Sequence, residues 1–471
     1  MNLVSFSIRT KGLRNFLRRL WTVFTRFGFS EQRTQRAFAS ILTTLRQRHA
    51  APTFFIPAVV LARHPKLIAD IAGQGAELGI HGYVHNDYRY LSQEQQRQQT
   101  SQAMAVFQHA HIPYDGFRNP YLGWNAATPL VLAEQGLVYV SNDAVLHDVI
   151  APDQLPPQVR GGYLKSLALF QAIPCTAYTL RPAFDPQTNG KLLSIPTSIP
   201  DDEMLFDRLR ITDPKEVGGL WSRVMQRVYD LGGIYVLNLH PERGILCQPA
   251  LDRLLTTAQS LPLPVWITRL NEVAAWWKER SQFRLAFTAS APGRWQVEAT
   301  CSPRASLLAR HLEVLDQPTT PWANDAIRIT PTLPESAAAA LAAPAAPVRF
   351  TVASTVCPCL AISPETPQDV LDFLLEAGYP VVRCLPTEAA GYAWYRESAE
   401  GLGNTREERI EHCSRLLEQI EHLDAPLVHF GCWPAGQRAA LSITGDIDSI
   451  TIQDFFLRIL EVRQQGAPKK Q

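Results

Sequence analysis

Short apolar runs alternating with helical patterns over residues 1–280 constrain the fold more than any other feature of the chain. The strand candidates are LVSFSI (3–8), PTFFIP (52–57), ELGIH (77–81), GFR (116–118), LVYVS (137–141), LLSIP (192–196), GIYVLNLH (233–240) and PVWIT (264–268). Between them lie helical stretches such as PKLIADIAGQGA (65–76) and TPLVLAEQG (128–136). Strands that are apolar on both faces and separated by helices pair in parallel beneath a helical cover. Roughly eight such units predict an α/β fold, an incomplete or distorted (β/α) barrel.

After Trp276 and Trp277 the pattern changes. Residues 281–333 alternate apolar and polar positions, as half-buried antiparallel strands do, and form a small β-rich accessory region. Residues 334–347, PESAAAALAAPAAP, are an Ala/Pro linker. Residues 348–471 return to α/β character and end in an apolar run, AALSITGDIDS, followed by TIQDFFLRILE. The expected division is therefore 1–280, 281–333, 334–347 and 348–471.

The net charge of +1 over 471 residues argues against a general nucleic-acid binder. The charge is uneven: residues 1–50 hold nine Arg and one Lys against the single acid Glu31. Within them, residues 12–28 place Leu13, Phe16, Leu17, Leu20, Phe24 and Phe27 at helical spacing. That amphipathic helix either packs on the barrel or touches a membrane surface peripherally. No run of 18 apolar residues and no secretory signal is read in the chain, so the expected location is cytoplasmic, with membrane association as the alternative. Eight cysteines are too sparse for a disulfide framework.

In HGYVH (81–85) two histidines stand four apart at a strand end. Four extended residues would separate them by about 13 Å, too far for one metal ion. The chain must turn, and Gly82 permits it. Further polar residues recur at strand ends: Arg118 in GFRNPYLGW, Asp201 and Asp202 in SIPDDEM, His240 in YVLNLHPERG. In a parallel barrel all these ends share one face, where reacting groups gather.

These motifs, in this order, resemble the polysaccharide deacetylases of the NodB homology group. HGYVH resembles their metal-binding H-[ST]-x-x-H, with Gly82 at the second position. Arg118-Asn119-Pro120-Tyr121 matches their R-x-P-Y, and GIYVLNLH their late strand ending in histidine. The resemblance covers roughly residues 30–280. It implies a divalent metal, zinc by first choice with cobalt, manganese or nickel as alternatives, and hydrolysis of an N-acetyl group on a sugar.

The family's first strand ends in two aspartates, one a general base and one a metal ligand, but VSFSIRT carries none. The C-terminal ITGDIDS resembles that motif, displaced. The expected site therefore has His81, His85 and Asp448 on the metal and Asp446 as base. Arg118 would keep Asp446 ionised, and the Tyr121 backbone N–H would help hold the oxyanion. His240 would protonate the leaving amine, and Trp124 would stack on a sugar ring. Asp143 and Asp87 are rival ligands, while Glu77 and Asn238 are read as supporting groups. The alternative functions are hydrolysis of a small non-peptide amide and a catalytically dead barrel that binds a glycan or a protein.

Overall fold

The computed structural model describes residues 23–24, 26–323, 325–330 and 347–464. The strand expected over 3–8, most of the basic helix expected over 12–28 and nearly all of the linker expected over 334–347 lie outside the described residues. Among the described residues no helix is long and apolar enough to cross a membrane.

The main sheet is parallel except for its edge strand Ala183–Phe184, which runs antiparallel to Leu193–Ser194, and it curls into a distorted barrel. Strands Thr53–Ile56, Glu77–Ile80, Gly116–Phe117 and Tyr139–Val140 follow one another in space as in sequence. The chain then runs from Tyr139–Val140 into Ala144–Leu146. The first piece pairs with Leu193–Ser194 and the second with Thr197–Ile199. The register slips by one residue between the pieces, from Val140↔Ser194 to Ala144↔Thr197, as at a β-bulge. From Thr197–Ile199 the order continues to Ile234–Leu239, then Ala439–Asp446, and back to Thr53–Ile56. Among the described residues seven strand positions thus make up the ring; of the eight units expected, the one over 3–8 lies outside them.

The strand that closes it comes from the far end of the chain. Ala439–Asp446 is buried at every position. It pairs with Ile234–Leu239 on one side and, on the other, with Val265–Ile267 and Thr53–Ile56 end to end. An apolar segment of this kind is stable only between two neighbours; Leu441 and Ile443, both buried, contribute about 1.5–3 kcal/mol each. Gly445 is required by the crowding: a Cβ there would lie 2.8 Å from the Leu239 carbonyl and 3.1 Å from Pro241.

Local chemistry sets the neighbouring elements. The helix Pro214–Leu231 starts with Asp213 accepting the Lys215 N–H and with proline in its first turn. It stops at Gly232 in the left-handed conformation (φ 67°). Two residues later Ile234–Leu239 begins, so the cap aims that strand into the barrel.

Beyond the barrel, strands from either side of residues 334–347 pair with one another. Val348–Ala353 pairs with Arg294–Thr300, and Leu427–Phe430 pairs with Leu307–Arg310. Strands from both sides of residues 334–347 therefore complete shared sheets over one apolar core containing Trp276, Trp277, Phe350 and Val428. A separate small parallel sheet centres on Cys357–Ile362, covered by the helices Gln368–Ala377 and Arg406–Glu421.

Candidate active site

Parallel register brings the polar residues to one end of the barrel. Ile80 pairs with Phe117, so His81 and Arg118 are the next residues out on adjacent strands. Phe55 pairs with Asp446, and Leu239 with Gly445, which sets His240 beside Asp446. Gly82, at φ 80°, turns the chain after His81, and His85 returns to face it with ring centroids 5.2 Å apart.

Three donor atoms converge. The carboxylate Oδ1 of Asp448 lies 3.5 Å from His81 Nε2 and 3.2 Å from His85 Nε2. All three residues are buried, and their donor atoms lie within 4.8 Å of one another. Ligands at 2.0–2.1 Å around a tetrahedral ion stand about 3.4 Å apart, so the spacing fits a small divalent cation. The tautomer also fits. His81 Nδ1–H donates to the Arg118 carbonyl at 2.7 Å, leaving the Nε2 lone pair free. Burial pushes His81 down to about 4, so the ring is neutral at ordinary pH. Asp448 Oδ1 has no hydrogen-bond partner, as expected of an atom placed for a cation. Its Oδ2 accepts from Arg458 Nη1 at 2.6 Å. Burial opposes charge on Asp448, yet His85 and Arg458 outweigh it and hold the carboxyl well below the usual range.

Asp446, two residues earlier, is held differently. Its Oδ1 accepts from Arg118 Nη1 at 3.2 Å and its Oδ2 from Asn238 Nδ2 at 2.9 Å. Arg118 is fully buried. It also donates to Asn238 Oδ1 (2.7 Å), Thr444 Oγ1 (2.9 Å) and Ser141 Oγ (3.0 Å), and its guanidinium lies 4.4 Å over the Phe55 ring. A guanidinium saturated in this way is a fixed positive charge behind the carboxylate.

Across the barrel mouth, His240 pairs with Asp202. Nδ1 lies 2.7 Å from Oδ1, and the His240 backbone N–H donates to Oδ2 at 2.9 Å. Burial works against a charged ring, but the Asp202 carboxylate lifts His240 to about 10. Burial likewise opposes the charge of Asp202, and His240 and Arg243 hold it down all the same. Asp201, buried beside Asp202, is raised by burial and by that neighbouring charge.

Residues 30–140 match the polysaccharide deacetylase family model. The matched segment holds His81, His85, Arg118 and Tyr121, while the carboxylates Asp446 and Asp448 come from outside it. No curated protein matches the chain. Among solved structures, one similar chain is a Mycobacterium smegmatis protein assigned as a polysaccharide deacetylase, at 22% identity over 51% of this chain and 76% of that one, TM-score 0.41. A Pseudomonas aeruginosa PAO1 protein with the same assignment stands at 20% identity, 51% and 72% coverage, TM-score 0.39. A Bacillus anthracis pseudoenzyme of the CE4 family stands at 16% identity, 51% and 61% coverage, TM-score 0.31.

The other residues singled out from the sequence fall in several places. Tyr121 takes the left-handed conformation (φ 59°), and its ring packs edge-on against His85 at 4.5 Å. Trp124 is half-buried and carries the Arg406 guanidinium 5.3 Å over its ring. Asp143 is paired with Arg406 and Ser194, and Asp87 with Arg89, so both rival carboxylates are engaged away from the histidines. Glu77 starts its strand at the opposite end of the barrel. There it accepts from Thr53 Oγ1, Tyr139 OH and the Asn271 N–H, and burial raises its pKa. Asn238 bridges Arg118 and Asp446 directly. The sequence reading missed the Asp202–His240 contact and the hold of Arg458 on Asp448. The adjacent acids in SIPDDEM, after a strand end, were the available signal for the first; Arg458, ten residues beyond Asp448, gave none.

Proposed function

We propose that the protein is a metal-dependent hydrolase that removes N-acetyl groups from an amino-sugar substrate. The reading rests on one observation: two histidine nitrogens approach an unpartnered carboxylate oxygen, beside a second carboxylate held by arginine. His81 Nε2, His85 Nε2 and Asp448 Oδ1 would hold the ion. When bound, a divalent ion such as zinc supplies a Lewis acid that polarises the amide carbonyl and lowers the pKa of water from 15.7 to about 7–9.

The remaining roles belong to the chain. Asp446 accepts the proton of the attacking water, since each carboxylate oxygen keeps a lone pair beyond those used by Arg118 and Asn238. Arg118 keeps that carboxylate ionised. His240, protonated through Asp202, donates to the leaving nitrogen from Nε2, the ring atom not bound to Asp202. The Tyr121 backbone N–H is the donor assigned to the developing oxyanion.

The test combines metal analysis with acetate release. Full-length protein should hold about one equivalent of zinc or a similar ion, and Asp448→Asn should lose it. The loaded wild type should release acetate from N-acetylated chitobiose-type sugars. Equal metal in both proteins would move the third ligand elsewhere. Hydrolysis of small ureides or imides without acetate release from sugars would replace the substrate class. A wild type that takes up no zinc would end the reading.

A further inference from the structure

The strand Ala439–Asp446 enters the barrel beside a group of arginines that the proposed reaction does not use. Arg181 comes from the barrel segment, Arg310 ends the strand Leu307–Arg310, and Arg438 immediately precedes Ala439. They line a small cavity of about 50 Å³, and Glu421 is the one carboxylate in its lining. The same four residues also border an adjoining groove of about 700 Å³.

The charges do not balance. Arg181 Nη2 lies 3.4 Å from Glu421 Oε1, which also accepts from Tyr379 OH at 2.7 Å. Arg310 gives its two terminal nitrogens to the carbonyls of Glu421 (2.7 Å) and Ile420 (2.9 Å). Arg438 Nη2 donates to the Asp230 carbonyl at 2.6 Å. These are neutral acceptors, so three guanidinium charges share one carboxylate. Arg280, buried nearby, is depressed below the ordinary arginine range by burial, with Arg181 adding repulsion. Arg438 is depressed in the same way, whereas Glu421 and its neighbours raise Arg181 against burial.

Donors are left over as well. Of the lining arginines, the Nε of Arg181 and the Nε of Arg310 are buried without a partner. Arg310 is only 3% exposed and lines the cavity. A buried unpaired donor on a cation is costly to desolvate, so these groups call for an anion. Arginine forks match tetrahedral oxyanions in geometry. The further acids of the outer groove, Asp230, Asp325, Glu418 and Asp424, are exposed and would repel a larger polyanion.

We propose that this cavity binds a small tetrahedral oxyanion, inorganic phosphate or sulfate, which bridges Arg181, Arg310 and Arg438 and fixes the entry of Ala439–Asp446 into the barrel. The site lies at the start of that strand, whereas Asp446 lies at its end.

Full-length protein is titrated with sodium phosphate, and separately with sodium sulfate, at ionic strength held constant with sodium chloride. Thermal unfolding and calorimetry are read together. Wild type should show a saturable rise in Tm and a defined heat of binding. Arg181→Gln and Arg438→Gln should each bind at least tenfold more weakly, while Arg415→Gln, an exposed arginine paired with Glu411, should bind like wild type. No saturable binding by wild type, or equal binding by all four proteins, overturns the proposal. Should the two cavity variants fail to fold, crystals of wild type soaked in tungstate decide the matter. An anomalous peak between the three guanidinium groups supports the site, and its absence overturns it.

Discussion

Replacing Asp202 with asparagine tests the acid assigned to the reaction. The side chain keeps its size, but it loses the charge that lies 2.7 Å from His240 Nδ1. Raising His240 from 6.5 to about 10 against burial corresponds to about 5 kcal/mol, at 1.36 kcal/mol per pH unit. At pH 7 the wild-type ring is protonated by roughly a thousand to one. In Asp202→Asn, burial acts with little opposition and the ring becomes neutral. The asparagine amide would donate to Nδ1 while its oxygen takes the His240 N–H, leaving Nε2–H on a neutral ring, a far weaker acid than the imidazolium. The expected loss in kcat/KM at pH 7 is about 10²–10⁴-fold, the usual worth of a positioned general acid. A stability signature accompanies it. A histidine raised by folding stabilises fully below its unfolded value near 6.5 and loses that contribution as pH rises through 10. Wild type should therefore exceed the variant in stability most below pH 6.5, with the difference closing towards pH 10. Acetate release across pH 5–10 and the proton NMR titration of His240 read both effects. A variant whose His240 still titrates near 10, or whose kcat/KM stays within about threefold of wild type, refutes the reasoning.

Arg458→Met frees Asp448 Oδ2 and should weaken metal affinity by about 10–100-fold, measured by competition with a chelating dye; unchanged affinity would show that the arginine does not position the ligand. Gly445→Ala forces a methyl group against the Leu239 carbonyl and should lower unfolding stability by about 1–3 kcal/mol in denaturant titration. His64 joins Glu31 and Asp454 at 2.6 and 2.8 Å, and those acids raise its pKa against burial. Its contribution is present below pH 6.5 and lost as pH rises through its folded value, so the Tm deficit of His64→Gln should be larger at pH 5.5 than at pH 8.5.

The barrel was legible because its strands announce themselves locally. VLNLH and AALSITGD are short, largely apolar runs between helical stretches, and the strands Ile234–Leu239 and Ala439–Asp446 are buried at every position, as in a parallel sheet with covered faces. His81 and Arg118 were placed together by their strand ends, which parallel strands deliver to one face, whereas Asp446 and Asp448 were read only from the resemblance of ITGDIDS to a displaced motif. What local pattern does not encode is which strands become neighbours. The pairing of Asp202 with His240, the reach of Arg458 to Asp448 and the Arg406 contact of Trp124 all join distant segments. The same holds for Val348–Ala353, whose alternation is visible but whose partner Arg294–Thr300 lies across the linker. The bulge that closes the ring at residues 139–146 and 193–199 depends on register alone, to which composition is blind.

The far-end strand also sets the order of events during synthesis. Until Ala439–Asp446 arrives, Thr53–Ile56 and Ile234–Leu239 each present an open edge, and nearly four hundred residues separate Phe55 from its partner Asp446. Contacts of such long range form slowly, and exposed edges in the interval invite association with other chains. The barrel therefore closes after translation has passed residue 446. A chain interrupted upstream lacks the closing strand and both aspartates, and so leaves the barrel edges of Thr53–Ile56 and Ile234–Leu239 unpaired there.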